Sequence, residues 1–214
     1  DDIDGATDEI ATDETDEEEA TETVEEKESQ AETSEVVLEA AETSKESSGT
    51  HLSSSSTTLV VYFSRTGNTE VLAEYVADYC NADVFEIIAA EPYSDEDIDY
   101  NNSGSRASKE QNDTSVRPAI ADEVTNMDQY TTIILAYPVW FGQAPRIIDT
   151  FMESYDFSNK TIIPFCTSAS SDIGTSDEYL HGLTSSSVNW VKGKRFAPGT
   201  DEETIISWIE GYFY

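Results

Sequence analysis

The sequence predicts an α/β fold in which a five-stranded parallel sheet is covered on both faces by helices. Three observations carry this prediction. Strand-like apolar runs alternate with segments of helical periodicity throughout residues 58–214, which is typical of parallel sheets with helical crossovers. Two of these runs, Thr131–Ala136 and Thr161–Phe165, are continuously apolar, as central strands covered on both faces are. The 22 Phe, Trp and Tyr residues all lie after residue 57, so the core must lie there too.

Residues 1–57 differ sharply in composition from the rest of the chain. They hold 20 of the 45 acidic residues but only two of the 11 basic residues, which gives a net charge of −18, and they contain no aromatic residue, Pro or Cys. Such a segment buries too little apolar surface to offset the entropy of ordering it. We therefore expect a disordered acidic Ser/Thr/Glu-rich tail over 1–57. Residues 58–214 are long enough for one domain with a sizeable core.

The charge of the chain restricts the partners that it can bind. The domain carries the remaining net charge of −16. Acidity in both parts argues against nucleic acid and anionic membrane surfaces, and it favours a partner protein with a basic surface; solubility alone is the alternative explanation. No apolar run approaches the about 20 residues of a transmembrane helix. No Cys/His cluster indicates a metal site.

The beginning of the chain suggests a location. It lacks Met and opens inside a low-complexity acidic stretch. We expect a mature or trimmed product that is exported and lipid-anchored at the cell surface through a residue upstream of Asp1, with the tail as a spacer. A cytoplasmic protein is the alternative.

The N-terminal half of the domain is predicted in chain order as follows. A strand at Leu59–Phe63 precedes a helix at Asn68–Tyr79, whose apolar residues recur at spacings of three and four. A short strand follows at Asp83–Ile88. Residues 91–118 are polar and contain Pro and Gly, so we expect a long excursion with a short helix at Arg106–Gln111.

Helical spacing of Ile, Val and Met predicts a further helix at Pro118–Asn126. After the strand at Thr131–Ala136, a helix is predicted at Pro145–Ser154, with Pro145 in its first turn. The strand at Thr161–Phe165 precedes a helix at Ser176–Thr184.

The C-terminal elements are a short strand at Val191–Phe196 and a helix at Asp201–Tyr212. Thr200 is predicted to cap this last helix, with Glu203 at the capping-box position.

The segment between the first strand and the first helix is the most informative part of the sequence. Ser64-Arg65-Thr66-Gly67-Asn68-Thr69 leads into a helix, whose first amides lack intrahelical partners and attract phosphate. Its hydroxyl groups add donors, and Gly67 lets the backbone approach closely. The segment predicts a phosphate site without a Lys; an ordinary capped βα turn is the alternative. It matches neither the P-loop nor the dinucleotide-binding pattern.

Two further loops leave the carboxyl ends of the third and fourth strands, where ligands bind in sheets of this type. The loop 137–145 is expected to be exposed, and it places Trp140 and Phe141 side by side. We expect one of the two to pack against the next helix and the other to mark a site; packing of both is the alternative. The loop 166–175 is small and hydroxylated. A phosphate cradle, an aromatic platform and a hydrogen-bonding loop together predict a pocket for a phosphorylated planar heterocycle.

On these residues the chain resembles the flavodoxin family, over about residues 58–214. Ser64–Thr69 is similar to the family's (Thr/Ser)-x-Thr-Gly-x-Thr phosphate loop, and Tyr137–Gly142 and Pro164–Ser168 follow in the family's order. The middle loop looks like that of a subgroup with Tyr-Pro-Ile-Trp-Trp-Gly. The resemblance implies a flavodoxin-like sheet of strand order 2-1-3-4-5 and FMN as the cofactor.

The resemblance also implies three groups of cofactor-binding residues and no catalytic residue. The phosphate would be bound at Ser64, Arg65, Thr66, Gly67, Asn68 and Thr69. The isoalloxazine ring would be flanked by Pro138, Val139, Trp140, Phe141 and Gly142. The pyrimidine edge would meet Cys166, Thr167, Ser168, Ala169 and Asp172. The subgroup usually has Gly at positions 169 and 172, so the bulkier residues here are expected to narrow the pocket, and an Asp near the ring would disfavour anionic reduced flavin.

The sequence supplies no nucleophile, no base with a partner and no metal, so the cofactor would perform the chemistry. The resemblance implies an FMN protein that carries electrons between a reductase and an acceptor. Two alternatives stay open. One is an FMN-dependent reductase of quinones or other small acceptors, with the 91–118 excursion over a substrate pocket. The other is a flavin-free binding module whose acidic tail is the working part.

Overall fold

The computed structural model describes residues 56–213, and its centre is a parallel sheet. The strands are β1 (Thr58–Tyr62), β2 (Asp83–Glu86), β3 (Thr132–Pro138), β4 (Thr161–Thr167), β5 (Asn189–Trp190) and β6 (Lys194–Phe196). They run in the order β2-β1-β3-β4-β5, and β6 also pairs with β4. Every pairing is parallel. The predicted fold class and strand order are confirmed. The predicted acidic tail, apart from residues 56 and 57, lies outside the described residues.

Helices cover both faces of this sheet. They are α1 (Asn68–Cys80), α2 (Arg106–Asn112), α3 (Arg146–Ser154), α4 (Gly174–His181) and α5 (Glu202–Ile209). One apolar cluster joins α1 and α5 to one face of the sheet, and another joins α3, α4 and the excursion to the opposite face. Val60 belongs to the first cluster and Val61 to the second, because successive side chains of a strand point to opposite faces. Within residues 56–213, no helix has the length and apolar character needed to cross a membrane.

The predicted helix at Pro118–Asn126 is wrong. The backbone there is irregular, and Ile120 forms an antiparallel bridge with Ala89. The Ala121 amide donates to the Ile88 carbonyl at 2.8 Å, so the backbone groups of this segment pair with the chain after β2. The apolar spacing that suggested a helix is met by an irregular segment that buries Val124 against the core and ends in a 3₁₀ turn at Met127–Gln129.

The predicted last strand, Val191–Phe196, is a strand only at β6, and a separate short strand, β5, ends just before it. The Val191 amide donates to the Ile162 carbonyl at 2.9 Å, so this carbonyl of β4 faces the last strand. Pro164 lies two residues further along β4 and faces the same side, but it has no N–H to donate. At the break, a Cβ on Gly193 would lie 2.3 Å from the Ile173 side chain. The missing donor and the close packing explain the interruption.

The cap of the last helix is shifted by one residue from the prediction. Asp201 is the N-cap of α5, and its carboxylate accepts the Thr204 amide at 2.8 Å. Thr200 and Glu203 therefore do not form the predicted capping box. Asp is as good an N-cap as Thr, so the sequence pattern alone left both registers available.

Part of the excursion is fastened to the domain through α2 and α3. The Arg146 guanidinium donates to the Glu110 carbonyl at 3.3 Å and to the Gln111 carbonyl at 3.1 Å, near the C-terminus of α2. The same guanidinium lies 3.1 Å from the buried carboxylate of Asp149. A cation at the last carbonyls of a helix is favourable, so this contact fixes α2 against α3.

We predict that Lys160 stabilises the end of the sheet where β3 and β4 begin, opposite the three predicted loops. Its ammonium group is buried and donates to the Met127 carbonyl at 3.0 Å and the Tyr130 carbonyl at 2.5 Å. Lys160→Met keeps the aliphatic stem but leaves the Tyr130 carbonyl without a donor, whereas the Met127 carbonyl keeps the Tyr130 amide at 3.2 Å. We therefore expect a loss of about 1–3 kcal/mol in the free energy of unfolding by urea titration. Lys192→Met, on an exposed Lys, should change it by less than about 0.5 kcal/mol. Equal losses in the two variants would contradict this role.

Candidate functional site

A cavity of about 430 Å³ opens at the carboxyl ends of β1, β3 and β4, within the size range of ligand pockets. All three predicted loops contribute to its wall. The predicted residues that line it are Arg65, Thr66, Asn68, Thr69, Pro138, Val139, Trp140, Phe141, Gly142, Thr167, Ser168 and Ala169. Four predicted residues do not line it: Ser64, Gly67, Cys166 and Asp172. The parallel sheet thus brings the three loops together, as the sequence predicted.

The N-terminus of α1 points at this cavity without a side-chain cap. Gly67 is the N-cap residue, with a φ of 81°, and no side chain bonds to the first turn. A φ in this region is unfavourable for any residue with a Cβ, which explains the Gly. The Val71 amide is the first to bond within the helix, to the Gly67 carbonyl at 3.1 Å. The preceding amides of the turn therefore form an anion-binding site.

The hydroxyl groups of the loop have different partners. The Ser64 hydroxyl is buried, and no residue within 56–213 accepts or donates a hydrogen bond to it. The Asn68 side-chain amide donates to the Thr66 hydroxyl oxygen at 3.0 Å, which leaves the Thr66 proton free to donate. An unpaired buried hydroxyl is costly and needs an explanation, and a bound anion at this loop supplies one.

Two predicted cofactor-binding residues from different loops form a hydrogen bond with each other. The hydroxyl oxygens of Thr69 and Thr167 lie 2.7 Å apart, and both residues are buried. This contact joins the start of α1 to the end of β4. Because each hydroxyl has one proton and two lone pairs, the pair still has one proton to give to a ligand.

Arg65 braces the phosphate loop against the excursion. Its Nε donates to the Tyr93 carbonyl, and its Nη2 lies 2.6 Å from the Asp95 carboxylate. The guanidinium charge is thus already paired, and the helix amides remain the main source of positive potential in the loop.

Of the two aromatic residues of the second loop, Trp140 is the buried one. Its ring is 4% exposed and packs edge-on against Phe63 and Tyr93, with centroid distances of 5.3 and 5.0 Å. Phe141 is 38% exposed. The side chains of Trp140 and Phe141 diverge because a sharp turn begins at Trp140 and has Phe141 as its first central residue.

Phe141 is held outward by a tight turn. Trp140 and Gln143 exchange two backbone hydrogen bonds, of 2.9 and 3.0 Å, around Phe141 and Gly142. Both central residues have positive φ, 49° and 81°, as in type I′ turns. An aromatic residue in this conformation is strained, and such strain clusters at functional sites.

The excursion adds a residue to this part of the cavity wall. The ring of Tyr100 lies 4.9 Å from that of Phe141, and its hydroxyl donates to the Val139 carbonyl at 3.4 Å. Ile98 lies in the same wall. The cavity wall also includes three residues outside the predicted loops: Ile98, Tyr100 and Pro198. These residues carry no local motif, and only their tertiary position reveals them.

The third loop is organised by its own polar groups. The Ser168 hydroxyl accepts the Ser171 amide at 2.9 Å, and the Ser168 carbonyl accepts a hydrogen bond from Arg195 of β6 at 2.8 Å. Ala169 lines the cavity, whereas Asp172 is exposed and bonds the Ile173 amide at 2.8 Å. Cys166 is buried, and burial raises the pKa of its thiol to about 12, so it stays protonated at neutral pH.

Acidic side chains lie on the β2 side of the phosphate loop. Burial is the largest cause of the raised pKa values of Glu70 and Glu86, and repulsion from neighbouring carboxylates raises both further. Within residues 56–213, no group of three or more His, Cys, Asp or Glu side chains could hold a metal ion.

A second cavity, of about 520 Å³, lies in the excursion and is lined by polar and charged residues around α2. Several of these are already paired: Arg106 bonds Glu110 at 2.7 Å, and Asp97 accepts the Ser94 amide at 2.9 Å. The cavity at the sheet edge, with the free hydroxyl proton of Thr66 and the uncapped helix N-terminus in its wall, is therefore the better candidate site.

Comparison with known proteins agrees with this geometry. A family model described as flavodoxin matches residues 57–212. Two solved structures, each provisionally named a flavoprotein, are similar. That from Bacteroides eggerthii DSM 20697 is 39% identical (73% of this chain, 98% of that chain, TM-score 0.68). That from Bacteroides uniformis ATCC 8492 is 40% identical (72% and 97%, TM-score 0.68).

A third solved structure, a flavoprotein in complex with FMN from Lactobacillus acidophilus NCFM, shares the fold at 20% identity. It covers 73% of this chain and 98% of its own, with a TM-score of 0.55. No curated protein matches the chain.

We predict that the strain at Phe141 is measurable. Phe141→Asn and Phe141→Ala both remove the ring, but Asn tolerates positive φ better than Ala. The Asn variant should therefore be more stable than the Ala variant by about 1 kcal/mol in chemical denaturation. The same pair of substitutions at Tyr100, which is not at positive φ, should show no such advantage. Equal stabilities of the two Phe141 variants would contradict the strained turn.

Proposed function

The chain belongs to the flavodoxin family, and from this premise we propose that it binds FMN in the cavity at the sheet edge and transfers electrons between a reductase and an acceptor. One observation carries the proposal: the uncapped N-terminus of α1 opens on the cavity beside Thr66, whose hydroxyl proton is free. Both features favour a dianionic phosphate at this loop.

The residues of the cavity suit the parts of FMN. The amides after Gly67 and the hydroxyls of Ser64 and Thr66 would hold the phosphate, with Thr69 held in place by Thr167. Phe141 and the backbone around it would flank the ring, and the third loop would bond its pyrimidine edge. FMN, when bound, supplies the transfer of one or two electrons; the protein sets its orientation and potential.

The charge of the domain supports a basic redox partner. Asp95 and Glu96 are exposed in the excursion beside the cavity wall, on a domain of net charge −16. Complementary charge accelerates the encounter of two proteins and orients them. An acidic rim around the cofactor would therefore direct a basic protein to it.

A reductase of quinones or other small acceptors is the second candidate. Ile98 and Tyr100 favour it, because the excursion that carries them forms part of the cavity wall. A wall of this kind covers small substrates in other enzymes, whereas a pure electron carrier needs only an accessible ring edge.

We predict that the phosphate loop governs FMN affinity. Thr66→Ala and Asn68→Ala each remove a polar group at the phosphate, and hydrogen bonds to charged groups are worth about 1.5–3 kcal/mol. FMN should bind at least about tenfold more weakly, with a smaller change for riboflavin, which lacks the phosphate. Fluorescence titration measures both. Thr131→Ala, on an exposed Thr before β3, should change neither. Equal losses for FMN and riboflavin would contradict the phosphate site.

The visible spectrum of the purified full chain tests the cofactor itself. Flavin bands, with FMN as the released compound, are expected. A colourless protein that also fails to bind added FMN would instead favour the flavin-free binding module.

We predict that the reduced protein passes electrons to a basic haem protein, such as a cationic cytochrome c, faster at low salt. Because surface charges are screened over about 8 Å at physiological ionic strength, the rate should fall severalfold as salt is raised to that level. Stopped-flow absorbance measures it. NAD(P)H-dependent turnover of a neutral quinone is the control. Quick quinone turnover without any salt-dependent haem reduction would favour the reductase.

A further inference from the structure

Arg195 lies directly behind the third loop of the cavity. It is on β6, opposite Cys166 of β4, and its Nη1 donates to the Ser168 carbonyl at 2.8 Å. Ser168 is a wall residue. The guanidinium is thus one hydrogen bond away from the surface that faces the cavity.

The charge of Arg195 is not neutralised in the way that the other arginines are. Within residues 56–213, the other four arginines each pair with a carboxylate: Arg65 with Asp95, Arg106 with Glu110, Arg117 with Glu153 and Arg146 with Asp149. Arg195 forms no ion pair with any described residue, and its recorded partner is a backbone carbonyl. In a domain of net charge −16, an arginine without a carboxylate partner at a cavity wall is an exception.

The field of Arg195 reaches the start of the third loop. The pKa of the Cys166 thiol is raised by burial and by the nearby carboxylates of Asp172 and Asp177, and Arg195 opposes these effects. The positive charge therefore acts against the acidic groups at Cys166, the residue of β4 two positions before the wall residue Ser168.

We propose that Arg195 stabilises the negative charge that reduction places on the pyrimidine end of FMN, and so raises the two-electron potential of a strongly acidic domain. The inference rests on the proposed FMN site. Bound FMN that took up two electrons from a reductase and one proton from solvent would carry one negative charge at its pyrimidine end. A fixed cation behind Ser168 lowers the energy of that state and leaves the neutral oxidised ring nearly unaffected.

A higher two-electron potential favours reactants that exchange two electrons at once. An acidic domain without such a cation would hold the reduced ring at low potential. With Arg195 in place, two electrons are retained together more readily, which suits exchange with two-electron reactants such as nicotinamides and quinones. Arg195 would act as an electrostatic positioning residue, because it touches the loop and not the cofactor.

The test compares three variants of the full chain loaded with FMN. Arg195→Gln removes the charge, Arg195→Lys keeps it with a different hydrogen-bond geometry, and Lys194→Gln removes a neighbouring charge of the same strand that is exposed. The two-electron potential is measured by equilibration with redox dyes, and the dissociation constant of oxidised FMN by fluorescence. Arg195→Met, which keeps the aliphatic stem, replaces the Gln variant if that one does not fold.

We expect Arg195→Gln to weaken binding of reduced FMN about tenfold relative to oxidised FMN, which lowers the potential by about 30 mV. Arg195→Lys should keep most of the wild-type potential, and Lys194→Gln should change it by much less than Arg195→Gln. A potential that falls equally in the Lys and Gln variants of Arg195 would show that only the loop contact matters, and would overturn the proposal. Equal shifts for Arg195→Gln and Lys194→Gln would overturn it as well.

A measurement on the wild type is independent of any variant. If the reduced ring stays anionic, its potential should change by about 30 mV per pH unit between about pH 6 and about pH 8, which is one proton per two electrons. A slope of about 59 mV would mean a neutral reduced ring and contradict the proposal. Failure of the FMN site itself would appear differently, as a wild-type protein that binds no flavin.

Discussion

The first turn of α1, with backbone amides that no side chain caps, is the feature on which the site depends. It exists because Gly67 adopts a positive φ and joins the loop after β1 directly to the helix. The first amides of the helix therefore face the cavity. The strand order places the carboxyl end of β3 beside that of β1, and the carboxyl end of β4 beside that of β3. A phosphate at α1 would therefore leave the rest of a ligand between the second and third loops, where the wall is aromatic on one side and polar on the other.

The site is strengthened by contacts between segments that are remote in sequence. Arg65 connects the phosphate loop to Asp95 of the excursion, and Tyr100 connects the excursion to the Val139 carbonyl of the second loop. The Thr69–Thr167 contact joins the first loop to the third. Each of these contacts reduces the freedom of a loop before a ligand binds, which lowers the entropic cost of binding. The electrostatic role of Arg195 also depends on such a contact, since β6 carries it to Ser168.

The phosphate loop and the sheet were predictable because their signals are local. A β-branched run, a Gly at a helix start and helical periodicity lie within about 20 residues of each other. Other features depend on distant partners. The segment 118–126 has helical spacing, but its backbone pairs with residues 88–90. Trp140 and Phe141 have similar chemistry, and only the turn between them decides which is buried. The position of Arg195 depends on how β6 resumes pairing after the break opposite Pro164.

The ³¹P NMR spectrum of the FMN complex tests directly whether the N-terminus of α1 binds the phosphate. Helix amides and hydroxyl donors favour the dianion, whereas free phosphate monoesters titrate near a pKa of about 6. A phosphate held by the α1 amides should give a resonance that is shifted from that of free FMN and does not move between about pH 5 and about pH 8. A resonance of bound FMN that titrates like the free compound would show a solvent-exposed phosphate, and would contradict the assignment of the α1 N-terminus as its site.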